Sequence, residues 1–294
     1  MSTAKSQHYI PRFLLKQFCS DAEHIKVTDI KSKKQYTTKI DNVAQENHFY
    51  DLNTMKGKIS LEQQFCNIED KTAPIINKIV NTECISWCTS EDFAYLEDFI
   101  LCQIYRTRKY VNRVKSVLQA NNFPLFDHFR ENGDFVDTIY SKDIPIDDNV
   151  AKTVSYNILN HIEHDDVVRD AMASMEWLLI KAEEGSSFIM SDDPIVLNNR
   201  YANEEFTSSS HGFDLPHTQM FFPISPKLLL NLSAHQLVEE SKDRLLKSLM
   251  TGKITDISDA YKCSLTGEAC TCPIKLVNLF NTLQRNNAER FIFG

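Results

Sequence analysis

The segment from Gln7 to Phe18 places a histidine, a tyrosine and an arginine around one proline and leads directly into apolar residues. The imidazole of His8 can act as a general base or bind a metal, and the guanidinium of Arg12 can hold an anion. Alternatively, both side chains bond backbone groups and lock this segment to the core. Because most chain termini are polar and loosely held, the apolar residues indicate a segment that docks.

A second set of candidates lies on a helix predicted over residues 60–81. Glu62 and Glu69 are seven residues apart, which places them on one helix face, two turns apart. The residues around them on that face are small or apolar, and burying an unpaired carboxylate is costly. The two glutamates therefore predict either metal binding and acid–base chemistry or structural ion pairs with arginines.

A polar pair interrupts the next predicted helix, over residues 90–120. Gln103 lies on its inward-facing apolar stripe, and Arg106 lies on the adjoining stripe. A semi-buried arginine requires a carboxylate or a bound phosphate. Pairing of Arg106 with Glu62 or Glu69 would join the two helices into one site.

The sequence Ser191-Asp192-Asp193-Pro194 follows a predicted strand. Loops at strand ends often carry catalytic carboxylates, which makes Asp192 a candidate for catalysis and metal binding. The alternative is an ordinary turn, since Ser-Asp and Asp-Pro are common in turns. We assign Asp193 to the turn.

Other polar clusters give weaker signals. The spacings of Cys84 with Cys88 and of Cys270 with Cys272 do not match a structural zinc site. His161 and His164 could bind a metal from one helix face, but such a cluster is more often a solvated helix end. The chain contains no GxxxxGK[ST], GxSxG, HExxH or GxGxxG motif. This argues against a P-loop NTPase, an α/β-hydrolase, a zincin and a dinucleotide-dependent enzyme.

The composition is that of a globular protein: 294 residues, 42% hydrophobic and 24% charged. The net charge of −8 disfavours extensive binding of a nucleic-acid backbone, although nucleic acid stays a possible partner. No apolar run is long enough to span a bilayer, and no signal peptide is evident. We expect a cytoplasmic protein whose eight cysteines are free thiols.

Periodicity and capping patterns predict the elements that position these residues. Predicted strands are 24–30 and 35–40 as a hairpin, 49–52, 177–182 and 187–191 joined by a turn, 194–197, 220–222, 228–232 and 290–293. Predicted helices are 12–18, 60–81, 90–120, 123–131, 148–175, 235–250 and 273–289, with loops at 133–148 and 199–217. Capping boxes at Ser60/Gln63 and Thr89/Asp92 begin two of the helices. The pattern predicts one α+β domain over residues 1–294, in which an N-terminal β-hairpin and C-terminal strands surround a helical middle. That helical core covers about 60–175, and the strand-rich part about 177–232.

An ordered set of short motifs extends over nearly the whole chain. The motifs are His8-Tyr9-Ile10-Pro11-Arg12-Phe13, Asn42 with Phe49-Tyr50, Glu62 and Glu69, Gln103 with Arg106-Thr107, Ser191-Asp192-Asp193-Pro194, Phe222-Pro223-Ile224-Ser225-Pro226, and Asn281 with Arg290-Phe291-Ile292-Phe293. In this order they resemble a large, mostly bacterial family designated domain of unknown function 4238. The resemblance implies that the polar residues form one site, with Asn42 among its binding residues, and it implies no activity. Asp193 departs from the asparagine that relatives often have, and it adds a negative charge.

The leading functional hypothesis is a hydrolase, either a phosphodiesterase or a nuclease. Glu62, Glu69 and Asp192 would hold a divalent metal such as magnesium or act as the base, and His8 would donate or accept a proton. Arg12 and Arg106 would hold the phosphate, with Gln103 and Asn42 as further binding residues. The alternative is a non-catalytic sensor or binding module for an anionic ligand or a protein partner, in bacterial stress or phage defence.

Overall fold

The computed structural model describes residues 6–21, 23–54, 57–120, 146–162, 164–199, 215–251 and 259–294. In these ranges the fold is α+β, as predicted. The helices are α1 Arg12–Gln17, α2 Glu62–Thr82, α3 Ser90–Tyr105, α4 Arg108–Gln119, α5 Asp148–Ile162, α6 Asp166–Ala173, α7 His235–Met250, α8 Asp259–Thr266 and α9 Ile274–Asn287. The strands are β1 Ser6–His8, β2 His24–Asp29, β3 Lys34–Lys39, β4 Gln45–Asn47, β5 Asp51–Thr54, β6 Gly57–Ser60, β7 Glu176–Ala182, β8 Met190–Ser191, β9 Val196–Asn198, β10 Gln219–Pro223, β11 Leu228–Ser233, β12 Cys270–Cys272 and β13 Phe291–Phe293.

Two larger sheets and two small ribbons organise these strands. One sheet has the order β12-β7-β11-β10-β9 and is antiparallel except for the parallel pair β12–β7. The other has the order β3-β2-β13-β8, so the C-terminal strand lies between the N-terminal hairpin and β8. The ribbons are β1–β4 and β5–β6. The C-terminal strand therefore joins the same sheet as the hairpin β2–β3.

The main hydrophobic cluster contains buried side chains from Tyr9 to Phe293, and α2 and α3 contribute many of them. A second cluster forms where α9 covers the other face of the five-stranded sheet, with Val277 packed near Phe221. The central strand β11 is buried at every position. Its run of leucines fits this place, because a strand covered on both faces has no solvated side.

The predicted helix over 90–120 is two helices. The capping box at Thr89 is confirmed, since its side chain accepts from Asp92 N and the Asp92 side chain accepts in return. However, α3 ends at Tyr105, and the hydroxyl of Thr107 accepts from Tyr110 N to begin α4. Arg106 is thus placed at a helix end, where its backbone turns and its side chain can reach a neighbouring helix.

The capping box predicted at Ser60 is wrong. Ser60 ends β6, and its hydroxyl lies 3.4 Å from Gln7 Nε2 instead of bonding a helix N–H group. Helix α2 begins at Glu62 without a side-chain cap. Ser60 does not cap the helix because it belongs to β6, the strand that pairs with β5.

Other boundaries also differ from the prediction. The stretch 187–191 contributes only β8, which pairs with β13 rather than with β7. The predicted helix over 148–175 is interrupted because the side chain of Asp165 accepts from two backbone N–H groups and begins α6. The strand predicted over 49–52 starts at Asp51.

The sequence pattern did not indicate β1, β4, β6, α8 or β12. The predicted helix at 123–131 lies outside the described residues, as do most of the loops at 133–148 and 199–217. Across the described part of the chain, none of the helices is both long and apolar enough to cross a membrane.

Candidate functional site

The N-terminal strand is held in place by side-chain hydrogen bonds. The Gln7 side chain accepts from Tyr50 N at 2.6 Å and donates to Asp51 Oδ1 at 3.2 Å. The Tyr50 hydroxyl donates to the carbonyl of His8 at 3.0 Å. Tyr9 N donates to Ala44 O at 2.9 Å. These bonds fix the backbone on both sides of His8.

A pocket of about 270 Å³ lies between this segment and α2. We call it the N-terminal pocket. Its lining residues are His8, Arg12, Phe13, Tyr50, Glu62, Phe65, Cys66, Glu69, Asp70 and Ala73. The structure therefore brings together four of the residues that the sequence singled out: His8, Arg12, Glu62 and Glu69.

Glu62 has a buried carboxylate oxygen without a protein partner in this pocket. Its Oε2 atom is buried and makes no hydrogen bond within the described part of the chain. Burial, reinforced by the charge of Glu69, raises the pKa of the Glu62 carboxyl above its usual value. An unpaired acceptor in such surroundings favours a proton, a cation or a ligand that donates hydrogen bonds.

Glu69, by contrast, is paired. Its Oε1 atom accepts from Arg106 Nη1 at 2.7 Å. The guanidinium also donates from Nε and Nη2 to Gln103 Oε1 at 2.9 and 2.7 Å. Gln103 Nε2 in turn donates to Tyr9 O at 2.9 Å. Arg106 and Gln103 thus hold Glu69 and the backbone of Tyr9 in place, and Arg106 is buried and is not among the residues that line this pocket.

His8 is half-buried, and its Nε2 atom lies 3.2 Å from Ile40 O. Because a carbonyl accepts, Nε2 carries the proton and Nδ1 of the neutral ring keeps its lone pair. Burial lowers the pKa of His8 below its usual value of 6.5, so the ring is neutral at pH 7. A fixed, neutral imidazole is suited to accept a proton.

Arg12 is the exposed cation of the pocket lining. It begins α1 and forms an ion pair with Asp41 at 2.7 Å, in which both side chains are more than half exposed. Such a pair contributes little to stability. The guanidinium can therefore exchange Asp41 for an anionic ligand at small cost.

The structure adds residues that the functional hypothesis did not include. Tyr50 both lines the pocket and holds the His8 carbonyl, and Asp70 adds a third acidic side chain. Cys66 also lines the pocket, and burial raises the pKa of its thiol. The sequence signal for Cys66 and Ala73 was their position on the helix face of Glu62 and Glu69. Tyr50 was part of the ordered set of motifs, but its bond to the His8 carbonyl joins residues 42 positions apart and has no local sequence signal.

Asp192 is not among the residues that line the N-terminal pocket. Its carboxylate accepts backbone N–H bonds from Glu289, Arg290 and Phe291 at 2.8, 2.9 and 3.0 Å. Burial raises its pKa to about 6, although these donors act in the opposite direction. Within the described residues, Glu62, Glu69 and Asp192 do not form a group with three ligand atoms within 4.8 Å of one another.

The remaining candidates also have local roles. Asn42 Nδ2 donates to the Thr38 hydroxyl at 3.2 Å and is not among the pocket-lining residues. Asp193 accepts from Asn287 Nδ2 at 2.9 Å and pairs with Lys109 at 3.2 Å. His164 donates from Nδ1 to Asn160 O at 2.7 Å, close to the end of α5. None of the eight cysteines forms a disulfide.

Comparison with known proteins gives one result. No curated protein and no solved structure matches the chain. The family described as protein of unknown function (DUF4238) matches residues 6–294. This match extends over all the motifs from His8 to Phe293, and it confirms the resemblance. The chain belongs to the DUF4238 family.

Proposed function

We propose that the protein is a hydrolase that cleaves a phosphodiester bond in the N-terminal pocket. The observation that carries this proposal is the buried, unpaired Oε2 atom of Glu62 in a pocket that also contains His8, Glu69 and Arg12. Together these residues supply a carboxylate that can bind a cation, a neutral imidazole that can accept a proton, and an exposed guanidinium that can bind an anionic substrate. That combination is typical of hydrolytic sites for phosphate esters.

A divalent cation such as magnesium is part of this proposal. Magnesium commonly keeps several waters and uses one or two protein carboxylates together with substrate phosphate oxygens. Glu62, with Glu69 beside it, provides such a partial set, and a cation there would offset the burial and the repulsion by Glu69 that together raise the pKa of Glu62. Asp192 has no part in the proposed metal site because its oxygens already accept three backbone bonds.

His8 would accept the proton of the attacking water through Nδ1, and Arg12 would hold the phosphate. Arg106 would act indirectly by fixing Glu69 and the N-terminal segment. A volume of about 270 Å³ is at the small end for a ligand pocket. With the net charge of −8, this favours a nucleotide-sized phosphodiester over a long nucleic acid.

The same proposal includes a cytoplasmic location in a bacterial cell. Eight free thiols, two of them on the same strand at Cys270 and Cys272, support this location. Thiols persist in reducing compartments and tend to form disulfides in oxidising ones.

A second candidate function is a non-catalytic sensor or binding module for an anionic ligand or a protein partner. The observation that favours it is the closed network of Arg106, Gln103 and Glu69, in which each charge already has a protein partner. In that case Arg12 would bind the ligand and Glu62 would not take part in chemistry.

The test is hydrolysis of bis(p-nitrophenyl) phosphate and of a panel of cyclic and linear dinucleotides, with and without magnesium or manganese. We expect turnover by the wild type and loss of at least about 100-fold in Glu62→Gln. Glu184→Gln is the matched control, because this glutamate is exposed in the turn after β7. Ligand binding by calorimetry without turnover of any substrate would favour the sensor instead.

A further inference from the structure

Three potential metal ligands meet at the start of β7 and α7, away from the N-terminal pocket. Glu176 is the first residue of β7, His235 is the first residue of α7, and Glu239 follows one helical turn later. Each offers a ligand atom, and these atoms all lie within 4.8 Å of one another. His235 Nδ1 lies 3.1 Å from Glu176 Oε1.

The chemistry of this donor set is that of a transition-metal site. One imidazole nitrogen and two carboxylate oxygens are ligands that zinc binds, with water completing its coordination. The spacing of His235 and Glu239 places both on the same face of α7. The third ligand comes from the sheet, so an ion would connect two elements that are far apart in sequence.

A lysine ammonium already occupies the space between the two carboxylates. Lys242 Nζ lies 2.8 Å from Glu239 Oε1 and 3.3 Å from Glu176 Oε1. The ammonium therefore marks a position that stabilises positive charge. The three side chains that form this position are exposed or half-buried, so a metal ion can reach it and Lys242 can move into solvent.

We propose that Glu176, His235 and Glu239 form a binding site for a zinc-like transition-metal ion, which replaces the ammonium of Lys242. When no metal is bound, the ammonium of Lys242 pairs with both carboxylates, and it therefore competes with the metal ion for them. The bound ion cross-links α7 and β7 and thereby stabilises the fold. This site is independent of the function proposed for the N-terminal pocket.

Calorimetric titration of the intact protein with Zn²⁺ tests the proposal. We expect the wild type to bind one more ion than the double variant His235→Ala/Glu239→Gln, or to bind it at least about tenfold more tightly. Asp243→Asn removes an exposed carboxylate from the same helix outside the cluster, and it is expected to bind like the wild type. Lys242→Ala is expected to bind about fivefold more tightly, because the competing ammonium is gone.

Thermal unfolding gives a second measurement, which does not depend on determining the number of bound ions. Zinc is expected to raise the Tm of the wild type and of Asp243→Asn more than that of the double variant. Cysteine thiols can also bind zinc, and the difference between these variants removes the contribution of the eight cysteines. Equal stoichiometry, affinity and Tm shift in the wild type and the double variant would overturn the site, as would the absence of zinc binding by the wild type.

Discussion

Arg106 Nη1 lies 2.7 Å from Glu69 Oε1, and 1% of the arginine side chain and 24% of the glutamate side chain are exposed. This pair distinguishes the two glutamates of α2. Glu69 is committed to a buried guanidinium that Gln103 also binds, whereas Glu62 Oε2 makes no hydrogen bond among the described residues. Glu62 is therefore the carboxylate available to a ligand, and Glu69 connects the pocket to the core.

The first prediction concerns the stability of this pair. Arg106→Leu is expected to lower the free energy of unfolding by about 3–5 kcal/mol, because Glu69 and the Gln103 carbonyl lose their donor in buried surroundings. Urea denaturation measures this change. Arg285→Leu, at an exposed position of α9, is the matched control and is expected to change stability by less than about 1 kcal/mol.

The double variant Arg106→Leu/Glu69→Gln completes a thermodynamic cycle with the two single variants. We expect a coupling energy of about 1–3 kcal/mol, since the two side chains are in direct contact. Additive effects would show that the contact does not stabilise the fold.

The second prediction concerns Glu62. Glu62→Gln removes a half-buried charge, one oxygen of which makes no hydrogen bond among the described residues. We therefore expect stability at pH 7 to rise by roughly 0.5–1 kcal/mol, the lower part of the range for an unsatisfied buried group. The same substitution is expected to abolish hydrolysis. A gain in stability with a loss of function is typical of functional sites.

The raised pKa of Glu62 also predicts how this effect depends on pH. Because the pKa of Glu62 is raised in the folded protein, the folded state holds the proton more tightly than the unfolded state. Its contribution to stability therefore falls as the pH rises above the usual carboxyl pKa of 4.5. The advantage of Glu62→Gln should appear above that pH and vanish below it. An advantage that is constant from pH 4 to pH 8 would contradict the raised pKa.

Much of the candidate site was predictable because its signals are local. The seven-residue spacing of Glu62 and Glu69 on a helix indicated a shared face, and the structure has both in one pocket. The pairing of Arg106 with one of these glutamates was predicted because Arg106 lies beside the inward-facing stripe of its helix, where a semi-buried arginine requires a partner. Which glutamate it pairs with was not, since both lie on the same face and the choice depends on how α2 packs against α3.

The break between α3 and α4 shows a limit of periodicity. Thr107 fits a helical pattern as an interior residue and equally as the residue that caps a new helix. The packing of the two helices decides between these two roles of Thr107. The apolar periodicity over residues 90–120 does not distinguish them.

The position of Asp192 was not predictable for a different reason. Its partners are backbone N–H groups at residues 289–291, nearly 100 positions later in the chain. They reach it because β13 lies between β2 and β8. A turn sequence indicates the local backbone geometry. It contains no information about β13, which lies nearly 100 positions later in the chain.

The third prediction separates a structural role of Asp192 from a catalytic one. Asp192→Ala is expected to lower the free energy of unfolding by about 2–4 kcal/mol, because three backbone donors lose their acceptor. Well below its Tm, the folded variant is expected to keep the wild-type kcat and KM. Unfolding by denaturant and steady-state kinetics at low temperature check the two parts. A loss of activity in the fully folded variant would return Asp192 to the catalytic set.

The fourth prediction concerns Tyr50, whose hydroxyl donates to the His8 carbonyl at 3.0 Å while its ring packs against Phe65. Tyr50→Phe keeps the ring and removes this bond, so we expect a stability loss of only about 1 kcal/mol. Because His8 is then less firmly positioned, kcat is expected to fall between about tenfold and a hundredfold with little change in KM. Tyr36→Phe, in the exposed strand β3, is the control and should match the wild type in both measurements. Unchanged kcat in a destabilised Tyr50→Phe would mean that the hydroxyl supports the fold without positioning the base.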